Sequence, residues 1–470
     1  MRMQPINGPV LAGLVLFFVV GDSSGRAQDG QQPNGQTRAE FEKRLGEVKA
    51  KASGFHRSLA QWLTRKGMNE WALKQWAKAI ELDAAAAKQK PERDDWTNRP
   101  KGELRAIWQE VEAQLQEEQS RKVAAEYAAL AKWAFGKGLA AEADRAWAVV
   151  IEYDSGNEEG RAALKHLKVD GRWYDAGQQA VQKICSDHAK VDTGKPAEGT
   201  TAAERALDRE LTGRRSAHIV VESDFLNDEQ LAKCVDAGER TFQTFEALFG
   251  PTPSAKDLVA KHLVVESQKH YETLVDALHN HSGFNKEVQK RQTGAWLDTD
   301  LHIKRVDGKF PMFAVEGVAH FTVEMLLVAH GSTLKPWLYE GVAFYFSERL
   351  VGTVGWHCTG GSETTIGRDF SGSFDWRAST KACVRLGVDP VPALVLRAEW
   401  NGLNTERSLK AWSYMDFVLA IHRDKAREFV IAMKAEPTSS EEDEAIFKKV
   451  FGVTVSEFDA AWRNWVLRTY

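Results

Sequence analysis

The 470-residue sequence is poor in cysteine and in proline, with four of the first and thirteen of the second. Four widely spaced cysteines, Cys185, Cys234, Cys358 and Cys383, exclude a disulfide-dense scaffold and a cysteine-rich zinc module. They permit two bridges in three pairings. One pair or none is expected, because a chain of this length needs no staple to fold. An excess of charge of one sign is also missing, since 62 basic residues stand against 66 acidic ones for a formal net charge of −4. With neither a basic stripe nor an acidic tail, nucleic-acid binding is not expected. Long hydrophobic runs are absent too: the longest, Val10 to Val20, falls well short of the roughly 20 residues that span a bilayer. There is no Walker-type phosphate loop.

What is present starts with a positive Met1–Arg2 end, the apolar run, and small residues at Gly25 and Ala27. This is the layout of a signal peptide over residues 1–27, which predicts a protein exported to the periplasm or the extracellular space without a transmembrane segment. The rest has an ordinary globular balance, 43% hydrophobic and 27% charged, with sixteen tryptophans as anchors.

Residues 28–177 read as helix almost throughout and contain an internal repeat. LAQWLTRKGMNEWALKQWAKAIELD (Leu59 to Asp83) aligns without gaps on LAKWAFGKGLAAEADRAWAVVIEYD (Leu130 to Asp154), including Trp62/Trp133, Gly67/Gly138, Ala72/Ala143, Trp76/Trp147 and Ile80/Ile151. A small residue four positions before an aromatic one resembles the tetratricopeptide helix pair, although the offset of 71 residues is about twice that family's usual period. The resemblance implies a surface for a protein or peptide partner. A plain helical bundle with an accidental echo is the other reading.

Residues 178–215, with the polar stretch KVDTGKPAEGTTAAE from Lys190 to Glu204, read as a linker or long surface loop. In residues 216–310, SAHIVVES (Ser216 to Ser223), KHLVVES (Lys261 to Ser267) and TGAWLDTDLHIKRV (Thr293 to Val306) read as strands. The first two are each followed by a helix, Asn227 to Phe249 and Gln268 to Leu278, so a small mixed sheet is expected. Residues 311–470 return to helix, interrupted by a glycine-rich span from Gly352 to Trp376. The fold class is therefore α+β, mostly α: an N-terminal helical repeat-like part, a small mixed sheet and a helical C-terminal lobe.

Chemistry concentrates in VAHFTVEMLL, residues 318–327, and in PWLYEGVAFYF, which begins at Pro336. Residues four apart share a helix face, so Glu316, His320 and Glu324 form one polar stripe on an otherwise apolar helix. Buried carboxylates cost several kcal/mol unless paired, hydrogen-bonded or metal-bound, so the stripe needs a partner. Glu340 is the candidate. Pro336 suits a helix start, and Gly341 is expected to let that helix lie close against the first. A metal site and a metal-free hydrogen-bonded cluster both remain open.

From about Ser216 onward the chain resembles the thermolysin-type zinc peptidases, the gluzincins of the peptidase MA superfamily. Those carry H-E-x-x-H on one helix and a third ligand on a second helix reading roughly P-x-W-L-x-E-G-x-A. Pro336, Trp337, Leu338, Glu340, Gly341 and Ala343 match the second helix closely. The resemblance implies that His320 and Glu340 are metal ligands, that Glu324 stands in place of the second histidine, and that Phe321 replaces the general base. Phenylalanine cannot take a proton from metal-bound water. The expectation is an exported, catalytically inactive peptidase-like protein that binds protein or peptide and requires no cofactor, with zinc as the possible one. The alternative is an active zinc metallopeptidase with a variant His/Glu/Glu site, in which Glu316 serves as substitute base or extra ligand.

Other candidates carry less. His279 and His281 read as a solvated loop, and His330 as a partner of a helix C-terminus. His357 and Cys358 are adjacent but lack any surrounding nucleophile motif.

Overall fold

The computed structural model describes residues 35–93, 95–116, 118–198, 201–252, 258–280, 285–306, 312–330, 335–352, 354, 375–433 and 439–470. The proposed signal peptide, the glycine-rich span but for its ends, and His281, His357 and Cys358 lie outside the described residues. The fold is α+β and mostly helical, as expected.

Among the described residues the first α-helices are α1 (Gly35–Arg65), α2 (Asn69–Leu82), α3 (Leu104–Gln116), α4 (Glu118–Gly136), α5 (Ala140–Tyr153) and α6 (Glu158–Ala163). The internal repeat corresponds to two helix pairs, α1 with α2 and α4 with α5, and α1 also packs on α4. Gly67 and Gly138 sit at the same place in the two pairs, in the left-handed region at φ 77° and 75°. At Gly67 a side chain is excluded twice over, since a Cβ there would meet the Arg99 carbonyl oxygen at 1.8 Å. Ala72 and Ala143, and with them Trp76 and Trp147, are buried at matching positions of the two pairs.

A short hairpin, β1 (Leu167–Val169) and β2 (Arg172–Tyr174), leads to α7 (Ala176–Asp187), β3 (Lys195–Glu198), α8 (Thr201–Leu207) and β4 (Thr212–Arg215). The stretch expected as a linker is therefore built into the fold. α7 packs on the C-terminal helices, with the buried Gln178 amide donating to Asp416 at 2.7 Å. β3 pairs with β4 at the sheet edge, a position where Pro196 costs no central ladder bond. The sheet continues with β5 (Ile219–Ser223), β6 (Ala260–Val265), β7 (Gly294–Trp296) and β8 (Leu301–Arg305), in the order β3-β4-β5-β6-β8-β7. The central pairs β5–β6 and β6–β8 are parallel, and the others antiparallel.

The remaining helices are α9 (Asp228–Phe249), α10 (Gln268–Leu278), α11 (Lys286–Gln289), α12 (Met312–Ala329), α13 (Pro336–Phe346), α14 (Trp376–Leu386), α15 (Pro392–Leu396), α16 (Thr405–Ile421), α17 (Ala426–Ala432), α18 (Ser440–Phe451) and α19 (Val455–Thr469). One sheet face packs Ile219, Val221 and Val264 against α9 and α12; the other packs Leu263, Val265 and Ile303 against α8 and α10. Alternation along the strands sorts these two sets. A third core runs without a break from the N-terminal helix pairs through α13, α14 and α16 to α19. Cys185, Cys234 and Cys383 are buried. No described helix is long and apolar enough to cross a membrane.

Candidate metal centre

α12 is apolar on nearly every side, and its neighbours explain why. Ala314, Val318, Phe321 and Met325 face the sheet, while Val323, Leu326 and Leu327 join the core shared with α13. The polar stripe between them is sealed from solvent: Glu316 and His320 have no exposure and Glu324 has 1%. α13 starts at Pro336 as its sequence requires and brings in Glu340, also without exposure. Gly341 serves a different neighbour from the one expected. A Cβ there would meet the Ala411 carbonyl oxygen at 2.8 Å, so the glycine lets α13 approach α16 rather than α12.

His320, Glu324 and Glu340 converge, their ligand atoms lying within 4.8 Å of one another. His320 Nε2 is 3.3 Å from Glu324 Oε1 and 3.5 Å from Glu340 Oε2. Such separations exceed good N–H···O hydrogen bonds of about 2.7–3.2 Å. They match the edge of a tetrahedron of zinc ligands, about 3.4 Å for bonds of roughly 2.0–2.2 Å. The second oxygen of Glu324 accepts from Trp296 Nε1 at 3.2 Å, which fixes the carboxylate and leaves its first oxygen directed at the cluster. Burial lowers the His320 pKa against the upward pull of Glu340 and Glu316, favouring the neutral imidazole that a metal needs. One imidazole and two carboxylates form a donor set that could hold a metal ion.

Phe321 and Glu316 also stand on α12, with His320 and Glu324. Phe321 is turned to the sheet, 2% exposed, with its ring stacked on His302 at a centroid distance of 3.2 Å. Glu316 is not among the three convergent ligands. Its Oε1 lies 3.7 Å from His320 Nδ1, on the opposite side of the ring. Burial raises the Glu316 carboxyl, while His320, Lys304 and the Ser347 hydroxyl pull it back.

The sheet contributes a polar seam that sequence reading did not single out. His262 and His302 are register partners on β6 and β8, and His302 and Lys304 share a strand face. All three are buried beneath α12. His262 Nε2 meets the Thr322 hydroxyl at 3.3 Å, and burial holds its imidazole down at about 3. Burial likewise pushes His302 well below the ordinary histidine value. The signal was the alternation H-x-K within LHIKR, two polar residues aimed at the same apolar side.

Elsewhere, His279 ends α10 at its C-cap. His330 is half-buried, and its Nδ1 meets the Leu326 carbonyl at 3.0 Å at the end of α12, as a helix C-terminus favours. No family model matches the chain, and no curated protein matches it.

Proposed function

We propose that this is an exported protein with a gluzincin-like C-terminal part that keeps a metal centre and has lost peptide hydrolysis. His320, Glu324 and Glu340 would hold a divalent cation, zinc best suiting the donor set. Such an ion polarises a bound water or carbonyl, but hydrolysis also needs a positioned base. One observation carries the reading: Phe321, at the place of that base, is packed into the sheet face against His302 while the three ligands still converge.

The centre then acts as a cross-link between α12 and α13 in a protein whose role is binding. The two N-terminal helix pairs, which resemble tetratricopeptide units, supply the surface for a protein or peptide partner.

Metal analysis of the purified protein, combined with the double substitution Phe321→Glu, Glu324→His, tests the proposal. Stoichiometric zinc and no cleavage of casein in the native protein, with cleavage gained by the double variant, supports it. Native cleavage of casein would instead favour the active His/Glu/Glu peptidase, and a protein that takes up no zinc would remove the metal centre.

A further inference from the structure

We propose that Glu316 is a positioning residue, a carboxylate that holds His320 from the ring nitrogen facing away from the ligand cluster. The inference rests on the metal-centre reading given above. It replaces both roles that the sequence offered for Glu316.

The His320 ring divides its acidic neighbours. Nε2 faces Glu324 at 3.3 Å and Glu340 at 3.5 Å, whereas Nδ1 faces Glu316 at 3.7 Å. An imidazole binds a metal through one nitrogen in its neutral form, and the other nitrogen then carries the proton and calls for an acceptor. Glu316 occupies the acceptor's side. From there it can neither join the ligand set nor reach a water on the Nε2 side, so it is neither ligand nor base. At 3.7 Å the contact is electrostatic, longer than a hydrogen bond. A cation on Nε2 makes Nδ1–H a stronger donor toward the carboxylate.

The surroundings are arranged around this carboxyl. Glu316 is one helical turn before His320, with no exposure, in a helix that is mostly apolar. Leaving a carboxylate there is costly unless it is compensated. The Lys304 stem crosses Gly317 from β8, where a Cβ would come within 3.2 Å of the Lys304 Cγ. The Lys304 charge acts on both Glu316 and His320, and Ser347, from the π-helical turn Ser347–Val351 after α13, adds a hydroxyl. His320, Lys304 and Ser347, from three elements, thus all favour the ionised carboxyl against its burial. Gly317 belongs to the arrangement because any side chain would displace the lysine stem.

Cobalt(II), which takes zinc sites and absorbs in the visible, is the probe. The metal-free wild type, Glu316→Leu, Glu316→Gln and Glu340→Gln are compared for cobalt affinity by chelator competition, for ligand-field bands, and for melting temperature without metal. The expected result is cobalt binding weakened about 10–100-fold by Glu316→Leu, the scale of outer-shell losses, with band positions unchanged. The metal-free Leu variant should melt below the wild type, because the buried Lys304 loses the countercharge of the carboxyl, so Glu316→Gln supplies the comparison in which packing is kept. Glu316→Gln, which keeps an acceptor oxygen, should lose less affinity. Glu340→Gln should both weaken binding and move the bands. A Leu variant that binds as tightly as the wild type, or shifts the bands as a lost ligand would, overturns the inference, as does a Gln variant that loses as much affinity as the Leu variant. A wild type that binds no cobalt overturns the metal-centre reading and this inference with it.

Discussion

His320 Nε2 lies 3.5 Å from Glu340 Oε2, joining two helices by side chains that have no exposure to solvent. A pair so enclosed makes ligand removal costly to metal binding and cheap to folding. Structural zinc sites contribute about 10 kcal/mol or more, so one ligand of three accounts for roughly 3 kcal/mol. Glu340→Gln is expected to weaken zinc binding by about a hundredfold, read by competition with a chelator, while the metal-free variant keeps the wild-type far-ultraviolet circular dichroism. An unchanged affinity would remove Glu340 from the centre.

Phe321 is packing, and its loss should be felt as packing. It is 2% exposed, against His302 on one side and edge-on to Trp296 on another. Phe321→Ala should cost about 3–5 kcal/mol in urea unfolding of the metal-free protein, the usual price of such a cavity, and leave zinc stoichiometry unaltered. A loss under about 1 kcal/mol would show that the ring is not embedded in the sheet face.

Acid should destabilise the protein early. His56 and His262 are both held at about 3 in the folded state by burial, against an ordinary value of 6.5. His56 also meets Gln75 and Tyr153 through its two nitrogens, each at 2.8 Å. The native state therefore binds fewer protons than the unfolded chain between those values. The stability of the neutral rings is complete above about pH 6.5 and is lost as pH falls toward 3. Each contributes a slope of about 1.4 kcal/mol per pH unit, roughly 3 for the two. Glu316 and Asp416, whose carboxyls burial raises, oppose this slope. Urea midpoints measured from pH 7.5 down to 4.5 should fall steadily below 6.5. A midpoint constant from pH 7 to pH 5 would contradict the assignment.

The N-terminal helices and the C-terminal lobe should unfold together. Arg385 of α14 donates to the Leu115 carbonyl at 2.8 Å and the Ser120 hydroxyl at 2.7 Å, and its guanidinium lies over Tyr153. Lys381, one turn earlier, donates to the Ile151 carbonyl at 2.6 Å. A single calorimetric transition is expected for the native chain. Arg385→Ala should cost about 2–3 kcal/mol, the scale of charged hydrogen bonds, and split or broaden that transition. Two separate transitions in the wild type would mean that the two parts are independent.

What could be read before the structure was what local periodicity encodes. The helix at Gln268–Leu278 and the stripe Glu316–His320–Glu324 both follow from spacing within a single element. The polar seam did not, because His262 and His302 become neighbours only through the parallel pairing of β6 with β8. Pairing of that kind leaves no mark in either segment alone. β3 lies in a polar stretch whose Gly, Pro and Thr carry no apolar period, so it reads as linker, and its edge position makes Pro196 tolerable. Gly341 was assigned to the wrong neighbour for the same reason, since α16 lies far along the chain. The side of the His320 ring that each glutamate takes is likewise fixed by three-dimensional packing.

The central claim is a metal centre whose ligands persist without a base, and the most direct measurement is casein hydrolysis by the zinc-loaded protein against the same protein treated with chelator. Equal, background-level release of peptide in both is predicted. Release that depends on zinc and disappears with Glu340→Gln would contradict it.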